Sequence, residues 1–128
     1  MLELTLNQPA SRCYQTFCDA SQMRLWLPAL KTLKVASTDE LGRPREAVFE
    51  IGASLSFALV YAYDDAALKV RWVPSHGVHD GVSGFAHFEQ LAGGHTRFVY
   101  SLDSLRGREP AHEREVAKAF AGFVDAVT

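Results

Sequence analysis

Residues 55–72, LSFALVYAYDDAALKVRW, decide the architecture. Leu55, Phe57, Leu59, Tyr61 and Tyr63 fall at every second position, with Ser56, Ala58, Val60 and Ala62 between them. A period of two marks a strand whose alternate side chains face a core. Asp64-Asp65 is turn chemistry. Leu68, Val70 and Trp72 then resume the alternation against Lys69 and Arg71. Two strands joined by a short turn predict an antiparallel hairpin with one aromatic face.

The pattern repeats on both sides of this hairpin. Upstream, Leu33 and Val35 begin a strand, DELGRP (39–44) turns the chain, and Ala47, Phe49 and Ile51 alternate with Glu46, Val48 and Glu50 up to Gly52. Downstream of the loop PSHGVHDG (74–81), Val82, Gly84, Ala86 and Phe88 alternate with Ser83, Phe85, His87 and Glu89. Gly93-Gly94 reads as a hairpin turn. Thr96, Phe98, Tyr100 and Leu102 alternate with Arg97, Val99, Ser101 and Asp103. Six strands in a row form an antiparallel meander, and Leu2–Leu6 (LELTL) adds a seventh. One face is aromatic and aliphatic while the other mixes charge, Ser, Ala and Val. One face is therefore buried and the other partly wet.

The buried face needs a cover. Pro110 suits a first helical turn, with Glu113 and Glu115 near the positive end of the helix dipole. Val116, Phe120, Phe123, Val124 and Val127 form an apolar stripe. A helix over 109–127 would be about 28 Å long, enough to cross a curved sheet. After the first strand, Pro9 precedes a helix face of Ala10, Tyr14, Phe17 and Cys18. DASQMRLWLPAL (19–30) opens with the capping residues Asp19 and Ser21. It carries Met23, Trp26, Leu27 and Leu30 at helical spacing, and Pro28 cuts it short. Such a short helix draws its stability from tertiary packing. The predicted class is α+β: a single domain over 1–128, with a curved seven-stranded antiparallel sheet wrapped on a long C-terminal helix and two short helices after the first strand.

Composition agrees with one domain. The chain has 128 residues, 48% of them hydrophobic, which suits one core and leaves little for a second. The formal net charge is −2 and no basic run occurs, so no nucleic-acid partner is expected. No stretch approaches the roughly 18 apolar residues of a membrane span. MLELTLNQ has neither a basic start nor a long apolar run, so no signal peptide is expected and the reading is cytoplasmic. Cys13 and Cys18 would lie about 140° apart on one helix, a poor geometry for a disulfide. They read as small buried hydrophobes.

The order strand, two short helices, six-strand meander and long helix resembles the helix-grip fold of the START-like (SRPBCC) superfamily, which includes Bet v 1-type, polyketide cyclase/dehydrase-like and Hsp90 ATPase activator-like proteins. Asp19 followed by Trp26 and Leu27-Pro28 resembles that family's second-helix region. Tyr63-Asp64-Asp65 followed by Leu68–Trp72 resembles its turn before the central strand. Phe88-Glu89-Gln90-Leu91 followed by Gly94–Phe98 resembles its Phe-Glu-Pro and Gly-Thr-Arg hairpin. There are two departures: Gln90 stands where the pattern has proline, and His95 is an extra residue between Gly94 and Thr96. The resemblance implies a cavity between sheet and last helix, of a kind that commonly takes apolar or aromatic small molecules. Fold does not dictate function, so the residues must carry the argument.

The buried face offers Phe49, Phe57, Tyr61, Trp72, Phe88, Phe98 and Tyr100, with Trp26, Phe120 and Phe123 facing them from the helices. These residues either fill a core or line an apolar pocket. In a pocket, the hydroxyls of Tyr61, Tyr100 and Thr96 and the Trp72 indole would orient a ligand. Ala47, Gly84 and Ala86 on the same face leave room. With the resemblance added, Trp26, Phe49, Phe57, Tyr61, Trp72, Ala86, Phe88, Phe98, Tyr100, Phe120 and Phe123 are the expected ligand-binding set. Trp26 would sit near one end of the cavity, as a core plug or part of a mouth.

Catalytic chemistry has no assignable motif. Gly-x-Ser-x-Gly, a phosphate loop and a dinucleotide fingerprint are all missing from the sequence. A general base would come from a strand end, His79 or the helices. Arg24 reads as a solvated side chain. A metal site wants three or four converging ligands. Only His76 and His79 lie close together, so neither metal nor cofactor is expected, and His87 should point away from the pocket. The function expected first is non-covalent binding of a small apolar or aromatic molecule. A polyketide cyclase or dehydratase in the same cavity is the alternative, and an interaction module like the Hsp90 ATPase activators is a third reading. Val48, Val60, Val73, Phe85 and Val99 on the outer face are ordinary surface or a homodimer contact.

Overall fold

The structure, a computed structural model, describes residues 1–52, 55–75, 82–104, 107–108 and 110–126. In chain order these form β1 (Leu2–Leu6), α1 (Ala10–Cys18), α2 (Ala20–Trp26), β2 (Leu30–Thr38), β3 (Pro44–Ile51), β4 (Leu55–Asp64), β5 (Lys69–Pro74), β6 (Val82–Gln90), β7 (Thr96–Ser104), β8 (Gly107–Arg108) and α3 (Pro110–Ala126). One antiparallel sheet runs β1-β7-β6-β5-β4-β3-β2, and the two-residue β8 pairs with β7. The long strands match the meander read from alternation. β8 has no signal in the sequence, because two residues are too few to show a period. Register shifts within β2 bend this edge strand and add to the curvature of the sheet.

Side chains on the inner face line up in rows across the sheet. Tyr61, Trp72, Gly84 and Leu102 form one row. Tyr63, Val70, Ala86, Tyr100 and Leu2 form the next. Each helix covers its own part of this face: α3 lies against β1 and β7, α1 against β6, and α2 against β2. Glu113, in the first turn of α3, is buried and accepts the Leu102 N–H at 2.9 Å. The expected dipole partner is thus a hinge pin between α3 and β7. Phe120 on the same helix is fully buried, while Phe123 is only partly so.

Two local expectations need correction. Leu30 does not continue the α2 stripe. Leu27 N–H closes the helix on the Met23 carbonyl at 2.9 Å, and Ala29 then adopts a left-handed φ of 58°, so Leu30 opens β2. Strand β2 therefore starts three residues before Leu33. The second correction concerns the room expected beside Gly84, which is taken. A Cβ there would run into the Ser101 carbonyl oxygen and come within 2.9 Å of the Trp72 ring. Ala47 and Ala86, also expected to leave space, are fully buried.

The two departures from the family hairpin work together. Gln90 Nε2 donates to the Leu91 and His95 carbonyls at 3.0 and 2.8 Å, and its Oε1 accepts the Ala10 N–H at 2.8 Å. Pro9, just before α1, brings no side-chain cap, so Gln90 satisfies that helix start from across the fold. Gly93 and Gly94, both at φ 77°, carry the turn, a conformation that glycine adopts without steric cost. In α2, Asp19 is the cap, accepting the Ser21 N–H at 3.0 Å.

On the outer face, Val48 and Val73 are exposed and Val60, Phe85 and Val99 half-buried. The Lys69 ammonium lies 4.4 Å from the Phe85 ring centroid. His87 shares this face between Lys69 and Val99.

Candidate functional site

Between sheet and helices lies an apolar cavity of about 60 Å³. Its wall includes Trp26, Phe49, Tyr61, Trp72 and Tyr100 from the expected set. Phe88, Phe98, Phe120 and Ala86 stand outside this wall, in the close-packed core. Phe123 lies at the edge of that core. The side chain of Phe57 lies outside the described ones, as do His76 and His79 altogether.

The wall also holds residues that the sequence reading left out. Phe17 is the central one. Its ring centroid lies 5.1 Å from Phe120, 5.3 Å from Trp26, 5.7 Å from Phe88 and 6.0 Å from Trp72. Helix α1 thus drives an aromatic ring into the space that a larger pocket would occupy. Met23 and Leu27 from α2, Ile51 and Leu59 from the sheet, Leu102, and Val116 from α3 complete the wall. Phe17, Met23 and Val116 were visible as apolar helix stripes. Which part of a stripe borders empty space depends on how the helix crosses the sheet.

Polar groups in the wall are few. The Tyr61 and Tyr100 hydroxyls both titrate well above the usual tyrosine range, because burial disfavours the phenolate. At neutral pH they are neutral donors. Thr96, expected as a third polar tip, is fully buried and donates its hydroxyl to the Gln8 carbonyl at 2.6 Å. The Trp26 indole N–H is buried without a hydrogen-bond partner among the described residues. Arg24 is exposed and donates to the Leu33 carbonyl at 3.1 Å, so it holds α2 to β2. Among the described residues, no group of three His, Cys, Asp or Glu side chains could hold a metal ion, and no helix is long and apolar enough to cross a membrane.

A second depression, about 720 Å³, lies at the other face of α1, between Tyr14, Cys18, Arg43, Asp65 and Leu68. Its charged side chains pair with one another. Arg43 bonds Asp39 at 2.7 Å and Asp65 at 2.6 Å, Tyr14 donates to Asp65 at 2.8 Å, and the guanidinium sits 4.1 Å from the Tyr63 ring centroid. Hydrogen bonds from Arg43 and Tyr14 hold the Asp65 carboxyl below the usual range. Burial pushes the Cys18 thiol up to about 12. Cys13 and Cys18 are both buried and unpaired. The network clasps α1 to the β2–β3 and β4–β5 turns, away from the cavity.

No family model and no curated protein matches the chain. Solved structures do. A START superfamily protein from Mycobacterium smegmatis superposes with a TM-score of 0.75 at 18% identity, over 99% of this chain and 97% of that one. The di-domain ARO/CYC StfQ from the steffimycin biosynthetic pathway gives 0.75 at 12% identity over 97% of this chain, which spans 44% of StfQ. The Zhui aromatase/cyclase from Streptomyces sp. R1128 gives 0.68 at 13% identity, over 98% and 84%. At such identities the likeness speaks for the backbone alone. The curved antiparallel sheet, the closing helix and the two short helices after the first strand make up a helix-grip fold, the backbone that this chain shares with these structures.

Proposed function

We propose that this protein binds a compact apolar or aromatic molecule, non-covalently, in the cavity between sheet and C-terminal helix. The observation that carries this reading is a wall of aromatic and aliphatic side chains whose polar tips, among the described residues, are neutral hydroxyl and indole groups. Ligand sites have this make-up, mostly apolar with a few orienting polar groups. Size sets the ligand class. Benzene occupies an apolar cavity of about 150 Å³. At about 60 Å³, this one takes a molecule of a few heavy atoms, or one edge of a larger one, before its wall must move. Met23, unbranched and flexible, is the wall residue best suited to yield.

The cyclase alternative draws support from the aromatase/cyclase neighbours. Among the described residues, however, the wall offers only Tyr61 and Tyr100 as ionisable groups, and both resist deprotonation. Binding is the better-supported reading. Native mass spectrometry of protein isolated from its source tests it. The wild type should carry a non-covalent adduct of low mass, and Val116→Phe, which fills the cavity, should lose it while keeping its circular dichroism spectrum. A wild type without adduct, or an adduct that Val116→Phe retains, would count against the cavity as the binding site.

A further inference from the structure

Trp26 raises a question that the apolar wall leaves unanswered. It ends α2, is only 6% exposed, and stands in the cavity wall. Its ring is wedged between Phe17 at 5.3 Å and Phe120 at 4.9 Å. The ring therefore contributes packing that a phenylalanine would also give. The indole N–H is different: it is buried and meets no acceptor among the described residues. Buried indoles usually find one, because an N–H taken from water without compensation is costly. In the wall of a cavity, that unmet donor favours an occupant that brings its own acceptor.

We infer that the ligand is a neutral, largely apolar molecule bearing a carbonyl-type oxygen, and that Trp26 Nε1 donates to this oxygen. This rests on the cavity being the binding site. Three features fix the class. The donor requires an acceptor on the ligand. Tyr61 and Tyr100, neutral donors at their hydroxyls, line the same cavity from the sheet side, so an acceptor on the ligand is favoured there too. No Lys, Arg or His stands in the wall among the described residues, so a carboxylate would be buried unpaired and is disfavoured. A ketone, ester or amide oxygen meets these conditions, and a pure hydrocarbon leaves the N–H unmet. The indole N–H is covered by its neighbours in the closed packing, so ligand entry includes a turn of the Trp26 ring toward the cavity.

A matched probe pair tests this. Acetone and isobutene, each of four heavy atoms, share a shape and differ in carrying =O or =CH₂. Both are titrated into the full-length protein while the two indole N–H signals, from Trp26 and Trp72, are followed by NMR. The expected result is binding of both probes, with the Trp26 N–H moving downfield for the ketone alone. Trp26→Phe should lower affinity for the ketone relative to the hydrocarbon by about 3- to 10-fold, the size of one ordinary hydrogen bond. If both probes bind, the Trp26 N–H responds alike to each and the affinity ratio survives Trp26→Phe, the acceptor inference is overturned and the apolar site stands. If neither probe binds, the cavity reading falls and this inference with it. Should Trp26→Phe fail to fold, the wild-type N–H shifts decide alone.

Discussion

Phe17 ties the aromatic core together, with its ring within about 6 Å of those of Trp26, Trp72, Phe88 and Phe120. Its removal tests the packing most sharply. Phe17→Ala is expected to cost about 3–5 kcal/mol, read from urea unfolding, and to open the cavity to molecules the wild type excludes. The two cysteines give a second residue-level test. Burial raises both thiols above their ordinary range, Cys18 to about 12, so both stay protonated and shielded. In the native protein at about pH 8, iodoacetamide should label neither, and in urea it should label both. The sequence made the sheet's inner face legible because a strand's period of two divides its residues cleanly between faces. It placed Tyr61, Trp72 and Tyr100 toward the interior for that reason, and Trp26 by the helical spacing it shares with Met23 and Leu27. It left out Phe17 because the angle at which α1 crosses the sheet is a tertiary fact. For the same reason, it took Gly84 for open space when the Trp72 ring lies over it.

At the scale of elements, the clasp of Tyr14, Arg43 and Asp65 joins α1 to two hairpin turns. Asp65 has a depressed carboxyl pKa in the fold, so protonating it favours the unfolded chain. Its stabilising effect is complete above the ordinary aspartate value of about 3.9 and is lost as pH falls through the lower folded value. Urea midpoints measured across the acid range should therefore fall more steeply for the wild type than for Asp65→Asn. Equal slopes would show that the clasp contributes nothing. This cluster escaped sequence reading because its members come from α1 and two separate turns, and charged turn residues look alike whether solvated or paired. The hairpin after β6 was legible as a turn, but its mechanism was not. Gln90 holds the turn through His95 nearby and caps α1 through Ala10, 80 residues away in sequence. Strands, helices and their order were legible because each has enough residues to show a period. The two-residue β8 did not.

For the molecule as a whole, the backbone is shared with START superfamily and aromatase/cyclase structures at 12–18% identity. Alternation, turns and one amphipathic helix therefore specify the fold, and the side chains that face inward decide how much space is left inside it. In this chain they leave a small, mostly apolar space bounded by Phe17, Trp26, Trp72 and Tyr100. Xenon enters such apolar cavities and is readily located by its scattering. A crystal of the protein pressurised with xenon should show one internal xenon atom between the sheet and α3, against these four rings. A fully packed interior, with xenon absent from that position, would contradict the account.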